Sequence, residues 1–414
     1  MAEARSAFTA SLFERDLPPT WQLVSAGYVL NGTQYGLSEP GASDGNTPIV
    51  GMKDIVNGAV NLDDLAAIDG DLDTTKKFQL HRGDILLNRT NSPDLVGKVG
   101  IVRADSKAVF ASYLVRLNVN LDRVDPEFLN FWLNSPIAQQ ALKRLSTRGV
   151  SQANINPTEF QKHCPVPLPP LPEQRRIAEI LRGWDDAVVK SNRLTQLREA
   201  QYLGLRNKLI DWSSHSKTAL TSFLEPVSRP TPKPEAQYRA LSIRSHGKGT
   251  FDRIVEKPDD VDMDTLFVAR AGDIIVNITF AWEGAIALVP PEHDGGLVSH
   301  RFPMFLPVVD RANPRYLRHV LRMPRFTYLL GIVSPGGAGR NRVLSKGDFL
   351  DLEIPLPGLS EQKRIATILD DAESAISAGV QLRDSLSRQK RGLMQKLLTG
   401  EWRLSLQKKK ARAS

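Results

Sequence analysis

Two long stretches of the chain carry apolar side chains at steps of three and four residues. In residues 173–211 these are Ile177, Ile180, Leu181, Trp184, Val188, Leu194, Leu197, Leu205 and Leu209. In the second stretch they are Ile365, Ile368, Leu369, Ala372, Ile376, Leu382, Leu386, Leu393 and Leu397. That period lines one side of an α-helix, and a narrow stripe against a charged remainder is the pattern of a two-helix seam. Each helix would run for about 38 residues, roughly 57 Å at 1.5 Å per residue. Prolines ahead of each stretch cannot continue a helix backwards, and Ser360 suits an N-cap. Glu173 and Glu361 then fall in a first turn, where the helix dipole favours a carboxylate.

Elsewhere the pattern shortens. Apolar or alternating runs bounded by turn residues predict strands at 84–88, 99–103 and 113–119, and again at 273–278, 285–289 and 301–306. Helical stretches at 127–145 and 315–331 follow Asp125-Pro126 and Asn313-Pro314, whose first residue can cap and whose proline suits the first turn. The fold class is therefore α+β: two mixed α/β domains separated by two long helices.

The chain repeats itself. Pro167-Leu-Pro-Pro-Leu-Pro-Glu173-Gln174-Arg-Arg176-Ile177-Ala178-Glu-Ile180-Leu181 returns as Pro355-Leu-Pro-Gly-Leu-Ser-Glu361-Gln362-Lys-Arg364-Ile365-Ala366-Thr-Ile368-Leu369, 188 positions later. The match continues without a gap to Leu209 and Leu397. Upstream, Gly83-Asp84-Ile85 resembles Gly272-Asp273-Ile274, and Asp125-Pro126 resembles Asn313-Pro314, with the offset drifting as loops diverge. The order reads as domain (1–165), proline-led helix (166–212), domain (213–353), helix (354–402) and basic tail (403–414).

Composition narrows the class. Hydrophobic content of 41% with 24% charged residues fits folded domains, and no apolar run approaches the length of about 18 residues needed to span a membrane. Met1-Ala-Glu-Ala-Arg carries an early acid and no apolar segment, unlike a secretory signal. Cys164, the single cysteine, excludes an internal disulfide and disfavours zinc, so a cytoplasmic setting fits. Net charge of +8 favours a polyanionic partner, because Lys and Arg contacts to phosphates release counterions. The Lys408-Lys409-Lys410 tail supplies part of that excess and reads as a solvated, disordered end.

Catalytic machinery is missing. Gly97-Lys98-Val and Gly247-Lys248-Gly lack the spacing and hydroxyl of a phosphate-binding loop. Asn91-Ser-Pro-Asp94 is the nearest approach to an amino-methyltransferase tetrapeptide and reads as a turn. Glu361-Gln-Lys363 could be taken for the end of a nuclease metal motif, but its counterpart Glu173-Gln-Arg175 makes helix capping the simpler account. The seven histidines lack ligand spacing.

The doubled Pro-Leu-Pro-x-Leu-x-Glu-Gln-[Lys/Arg]-Arg-Ile-Ala-x-Ile-Leu motif, together with Leu17-Pro-Pro-Thr-Trp21 and the Gly-Asp-Ile strand, resembles the specificity subunits of type I restriction-modification systems. The resemblance implies two target-recognition domains, each reading one part of an interrupted double-stranded DNA sequence. It implies long helices that pair as an antiparallel coiled coil, space the domains and dock two modification subunits. Those partners would carry S-adenosylmethionine, and a restriction subunit would use ATP and magnesium; this chain would hold no cofactor, no metal and no catalytic residue. Helix positions expected at such contacts are Glu173, Gln174, Ile177, Leu181, Glu361, Gln362, Ile365 and Leu369.

Base readout needs Arg, Lys, Asn or Gln within reach of groove edges. Two segments at equivalent positions supply them: Arg148, Gln152 and Asn154 in the first half, and Arg340, Asn341 and Arg342 in the second. Arg89, Asn91, Arg239, Arg244 and Lys248 are further candidates for DNA contact. Two other readings stay open. One is a fragment of a fused restriction and modification enzyme; the other is a coiled-coil adaptor with protein partners only.

Overall fold

A computed structural model of the chain describes residues 17–38, 45–149, 152–213, 216–336 and 342–404. It divides into two units, residues 1–191 with 382–414, and residues 192–381. The described helices are α1 (Leu72–Phe78), α2 (Pro126–Leu133), α3 (Pro136–Leu145), α4 (Pro157–His163), α5 (Leu171–Leu209), α6 (Pro314–Leu321), α7 (Pro324–Ile332), α8 (Lys346–Leu350) and α9 (Leu359–Leu398).

In unit 1 a six-stranded sheet runs in the order Leu30–Tyr35, Leu114–Val119, Ile85–Asn88, Val99–Ile101, Ala59–Val60 and Ile55–Val56. Ile85 and Leu87 point to one face, where Phe128, Trp132 and Leu142 of α2 and α3 cover them. Leu86 points to the other, against Val50, Phe110 and Leu114. The domain is closed by an antiparallel ribbon in which Gln22–Ser25 pairs with Pro165–Leu168, immediately before α5. Cys164 lies beside that ribbon in the core, and burial pushes its thiol up to about 12.

Unit 2 repeats the plan. Leu224–Val227, Met304–Pro307, Ile274–Val276 and Ile286–Leu288 form an antiparallel sheet in the same sequential order as the first four strands of unit 1. Its closing ribbon pairs Lys217–Ala219 with Glu353–Pro355, immediately before α9. The expected strands are all present. The two predicted helical stretches, however, are each broken in two. Pro136 ends the run after α2 and Pro324 ends it after α6, because proline cannot donate the hydrogen bond of a continuing helix. Each then opens the next helix at its first position.

The two long helices pack antiparallel within each unit. In unit 1, Ile177 and Leu181 of α5 share a core with Met394, Leu397 and Leu398 of α9. In unit 2, Tyr202 and Ile210 share one with Ile365, Ala366 and Leu369. The middle of the seam departs from the apolar expectation. Leu194 (47% exposed), Leu197 (54%) and Leu382 (54%) face outwards, while Ser191 and Thr195 are buried. Gly379 meets Thr195 so closely that a Cβ would lie 2.6 Å from its hydroxyl oxygen, so small and polar residues, not leucines, make this contact. Ser360 sits inside the first turn of α9, because that helix begins at Leu359, two residues earlier than an N-cap at Ser360 implies.

The helix starts hold their own domains. Gln174 Oε1 accepts from the Asp125 backbone N at 2.8 Å, and its amide donates to the carbonyls of Arg123 (3.1 Å) and Pro169 (2.8 Å). Gln362 makes the same three bonds, to Asn313 N at 2.8 Å, Arg311 O at 3.0 Å and Pro357 O at 2.8 Å. Glu173 is buried beneath Trp21, whose indole donates to it at 3.1 Å, and receives Arg403 at 3.0 Å. Glu361 instead takes a two-pronged bond from Arg364. Ile177, Leu181, Ile365 and Leu369 are buried in the domain cores. Apart from half-exposed Glu361, the helix positions expected at partner contacts are thus buried within their own units.

Candidate nucleic-acid interface

Unit 1 gathers candidates that lie far apart in sequence. A small three-stranded sheet runs Ser146–Arg148, Ala153–Ile155, Thr90–Asn91, with Arg148 opposite Ala153, Ala153 opposite Asn91 and Asn154 opposite Thr90. Alternation along the middle strand buries Ala153 and Ile155 and leaves Asn154 exposed, beside the exposed Gln152. The Asn154 side-chain oxygen accepts from Arg89 Nη1 at 3.0 Å and from Thr90 Oγ1 at 3.4 Å. Arg89 also donates to the Ser112 carbonyl at 3.4 Å and stacks over the Tyr35 ring at 5.0 Å. Tyr35 (50% exposed) and Tyr113 (48%) are open to solvent, and the Tyr113 carbonyl accepts from the Arg89 backbone N at 3.0 Å. Asn91 is turned onto the backbone of Ser92 at 2.8 Å, so its amide is partly committed to local structure.

The result is a solvent-facing surface of guanidinium, amides and half-exposed aromatics, fixed by hydrogen bonds to a rigid sheet. Such groups can donate to base edges or phosphates. The tyrosines carried no signal in the sequence, because Tyr35 reaches Arg89 only through the pairing of strands.

Unit 2 places the equivalent segment in the same way. Leu344 N donates to the Ile278 carbonyl at 3.0 Å, as Ile155 N does to Arg89 O at 2.8 Å. Arg342 stacks over Trp282 at 5.3 Å. Arg340 and Asn341 lie outside the described residues. Arg239 is spent internally, donating to Asp252 at 3.4 Å and to the carbonyls of Glu292 and Asp294. Arg244 stacks on Phe251 at 4.8 Å. Lys248 is exposed on a tight turn in which His246, Gly247 and Gly249 all adopt positive φ. That turn borders a cavity of about 280 Å³ shared with Thr250, His293, Arg318 and Arg322.

One group among the described residues has metal-ligand geometry: His319, Asp370 and Glu373, with donor atoms within 4.8 Å of one another. Its carboxylates are already taken. Arg315 and Arg318 donate to Asp370, and Arg318 and Arg322 to Glu373. Burial works against the charge of Asp370, yet bonds from His319, Arg315 and Arg318 hold it below the usual carboxylate range. Burial also holds His319 below the usual imidazole range, against the pull of Asp370. This is an internal ion-pair network in which arginines fill the place of a cation.

Comparison with known proteins gives a consistent picture. The family model described as type I restriction modification DNA specificity domain matches residues 29–199 and 278–386. The MjaX specificity subunit of Methanocaldococcus jannaschii is 24% identical over 94% of this chain and 95% of its own length. The type I restriction enzyme EcoBI specificity subunit of Escherichia coli is 28% identical over 44% of this chain and 40% of its own. Among solved structures, the type I restriction-modification S subunit from M. genitalium aligns with a TM-score of 0.59 at 14% identity, covering 93% of this chain and 98% of that one. At that identity the structural likeness speaks to fold alone. No described helix is long and apolar enough to cross a membrane.

Proposed function

The chain belongs to the type I restriction-modification DNA specificity family, and from that premise we propose how its two halves divide the work. It is a non-catalytic specificity subunit with two target-recognition domains. In our reading each domain contacts one part of a bipartite double-stranded site. The first uses the surface of Arg89, Gln152, Asn154, Tyr35 and Tyr113; the second uses the Arg342–Trp282 edge. The observation that carries this reading is the pairing of two distant segments, Thr90–Asn91 and Ala153–Ile155, which sets Arg89 against Asn154 at the surface.

The helices α5 and α9 dock the methyltransferase subunits through outward-facing apolar groups such as Val189, Leu194 and Leu197. S-adenosylmethionine, ATP and magnesium belong to the partner subunits, and the assembly acts on cytoplasmic DNA.

DNA binding by the purified chain, measured across a salt series, tests the reading. Alanine at Arg89 together with Asn154 should weaken binding by about 1–3 kcal/mol for every base edge no longer bound, with the fold intact. A phosphate contact would instead weaken all sequences evenly and flatten the salt slope by about one. Wild-type affinity in the double variant overturns the assignment of this surface. Binding to partner subunits with no salt-dependent DNA affinity would favour the adaptor reading.

A further inference from the structure

The two domains share a clamp but not a charge pattern. Gln174 and Gln362 make identical bonds, and eight positions along each helix the chemistry reverses. In unit 1, Glu127 of α2 accepts from Arg182 of α5 at 3.3 Å and from Arg103 at 3.0 Å. In unit 2 the residues 188 positions later are Arg315 on α6 and Asp370 on α9, and they pair with the charges exchanged. Arg318 adds bonds of 2.6 Å to both Asp370 and Glu373. The seam partners differ as well. Lys390 pairs with Asp185 in unit 1, whereas its counterpart Tyr202 meets His319 Nδ1 at 3.1 Å in unit 2.

We infer that each domain seat is keyed by charge, so that the shared glutamine clamp would receive either domain but the ion pairs admit only one. Glu127 with Arg182, and Arg315 and Arg318 with Asp370, are the residues that decide. A solvent-exposed ion pair stabilises little. Glu127, Asp185, Asp370 and Glu373, however, are four-fifths or more buried, and like charges brought together there lack the water that would screen them. The second domain seated on α5 would bring Arg315, Arg318 and Arg322 against Arg182 and Lys390, with Asp185 as the helix carboxylate to answer them. The first domain seated on α9 would set Glu127 against Asp370 and Glu373, eased by Arg103. Arg182, Arg315, Arg318 and Arg322 are one-third or more exposed, so water screens part of the clash at the first seat, as Arg103 eases the one at the second. Because it concerns packing alone, this keying stands or falls apart from the DNA-binding assignment.

The test is a full-length chimera in which residues 217–353 also replace residues 22–165. With the natural α5 it should melt well below the parent chain. Adding Arg182→Asp and Lys390→Tyr, which copy the second seat, should restore most of the loss. Equal melting of the two chimeras overturns the inference. Should neither chimera fold, a reversal cycle in the natural chain decides. Glu127→Arg and Arg182→Asp should each lower the folding equilibrium by about tenfold, and the double variant should lose less than the two losses multiplied, since only the part owed to Arg103 is not restored. Losses that simply add would overturn the inference equally.

Discussion

A buried glutamine does the same work twice. Gln174 and Gln362 each satisfy one backbone N–H and two carbonyls that have turned away from any strand or helix. Gln174→Ala or Gln362→Ala should cost about 1–3 kcal/mol, because buried backbone groups would be left without partners. Thermal unfolding of each variant measures this, and a change within error would show that water takes the place of the amide. Replacement by Glu should cost more, since it removes both donors and sets a charge against two carbonyl oxygens. The sequence displayed these glutamines as a repeated motif and suggested outward contacts. It could not show their partners, because helical period assigns a face but not the group 49 residues away that the face meets.

At the scale of elements the hydrophobic pattern was most reliable where strands were short and buried. Ile85–Asn88 and Ile274–Val276 lie within the expected stretches, since four or five apolar residues between turns have few other places to go. The long helices were equally legible in extent. Their seam was not. Leu194 and Leu197 fit the helical period yet face solvent, while Thr195 and Gly379 make the close approach. Period alone does not separate a packed stripe from an exposed one. The convergence of Arg89 with Asn154 was hidden for another reason, as it depends on antiparallel pairing of segments some sixty residues apart. The helices also invite a direct test as a ruler between half-sites. Four residues inserted between Asn192 and Arg193 would lengthen α5 by about 6 Å and rotate the rest of the helix by a net 40° or so. DNA advances roughly 3.4 Å and turns about 35° per base pair, so the preferred spacer should grow by about one base pair. Methylation of a series of sites whose spacers differ by single base pairs reads the outcome. An assembled variant that keeps the original spacer would show that the helices do not set it.

Across the whole molecule, the two units carry separate main cores. Replacing residues 213–353 with the equivalent domain of a relative should therefore change one half of the target and leave the other. Mapping methylated adenines before and after the exchange checks this, and a change in both halves would mean that the domains do not read independently. The composition of the cores has one more consequence. Unit 2 draws its main core from residues 202–369, whereas the main core of unit 1 needs Trp21 and Val29 from near the start and Met394, Leu397 and Leu398 from near the end. A ribosome delivers these pieces in order. The first domain to be synthesised keeps its face for α9 uncovered while the second emerges with everything its own main core requires. The first domain's main core is thus completed last although its chain is made first, and that uncovered face is where a chaperone would act.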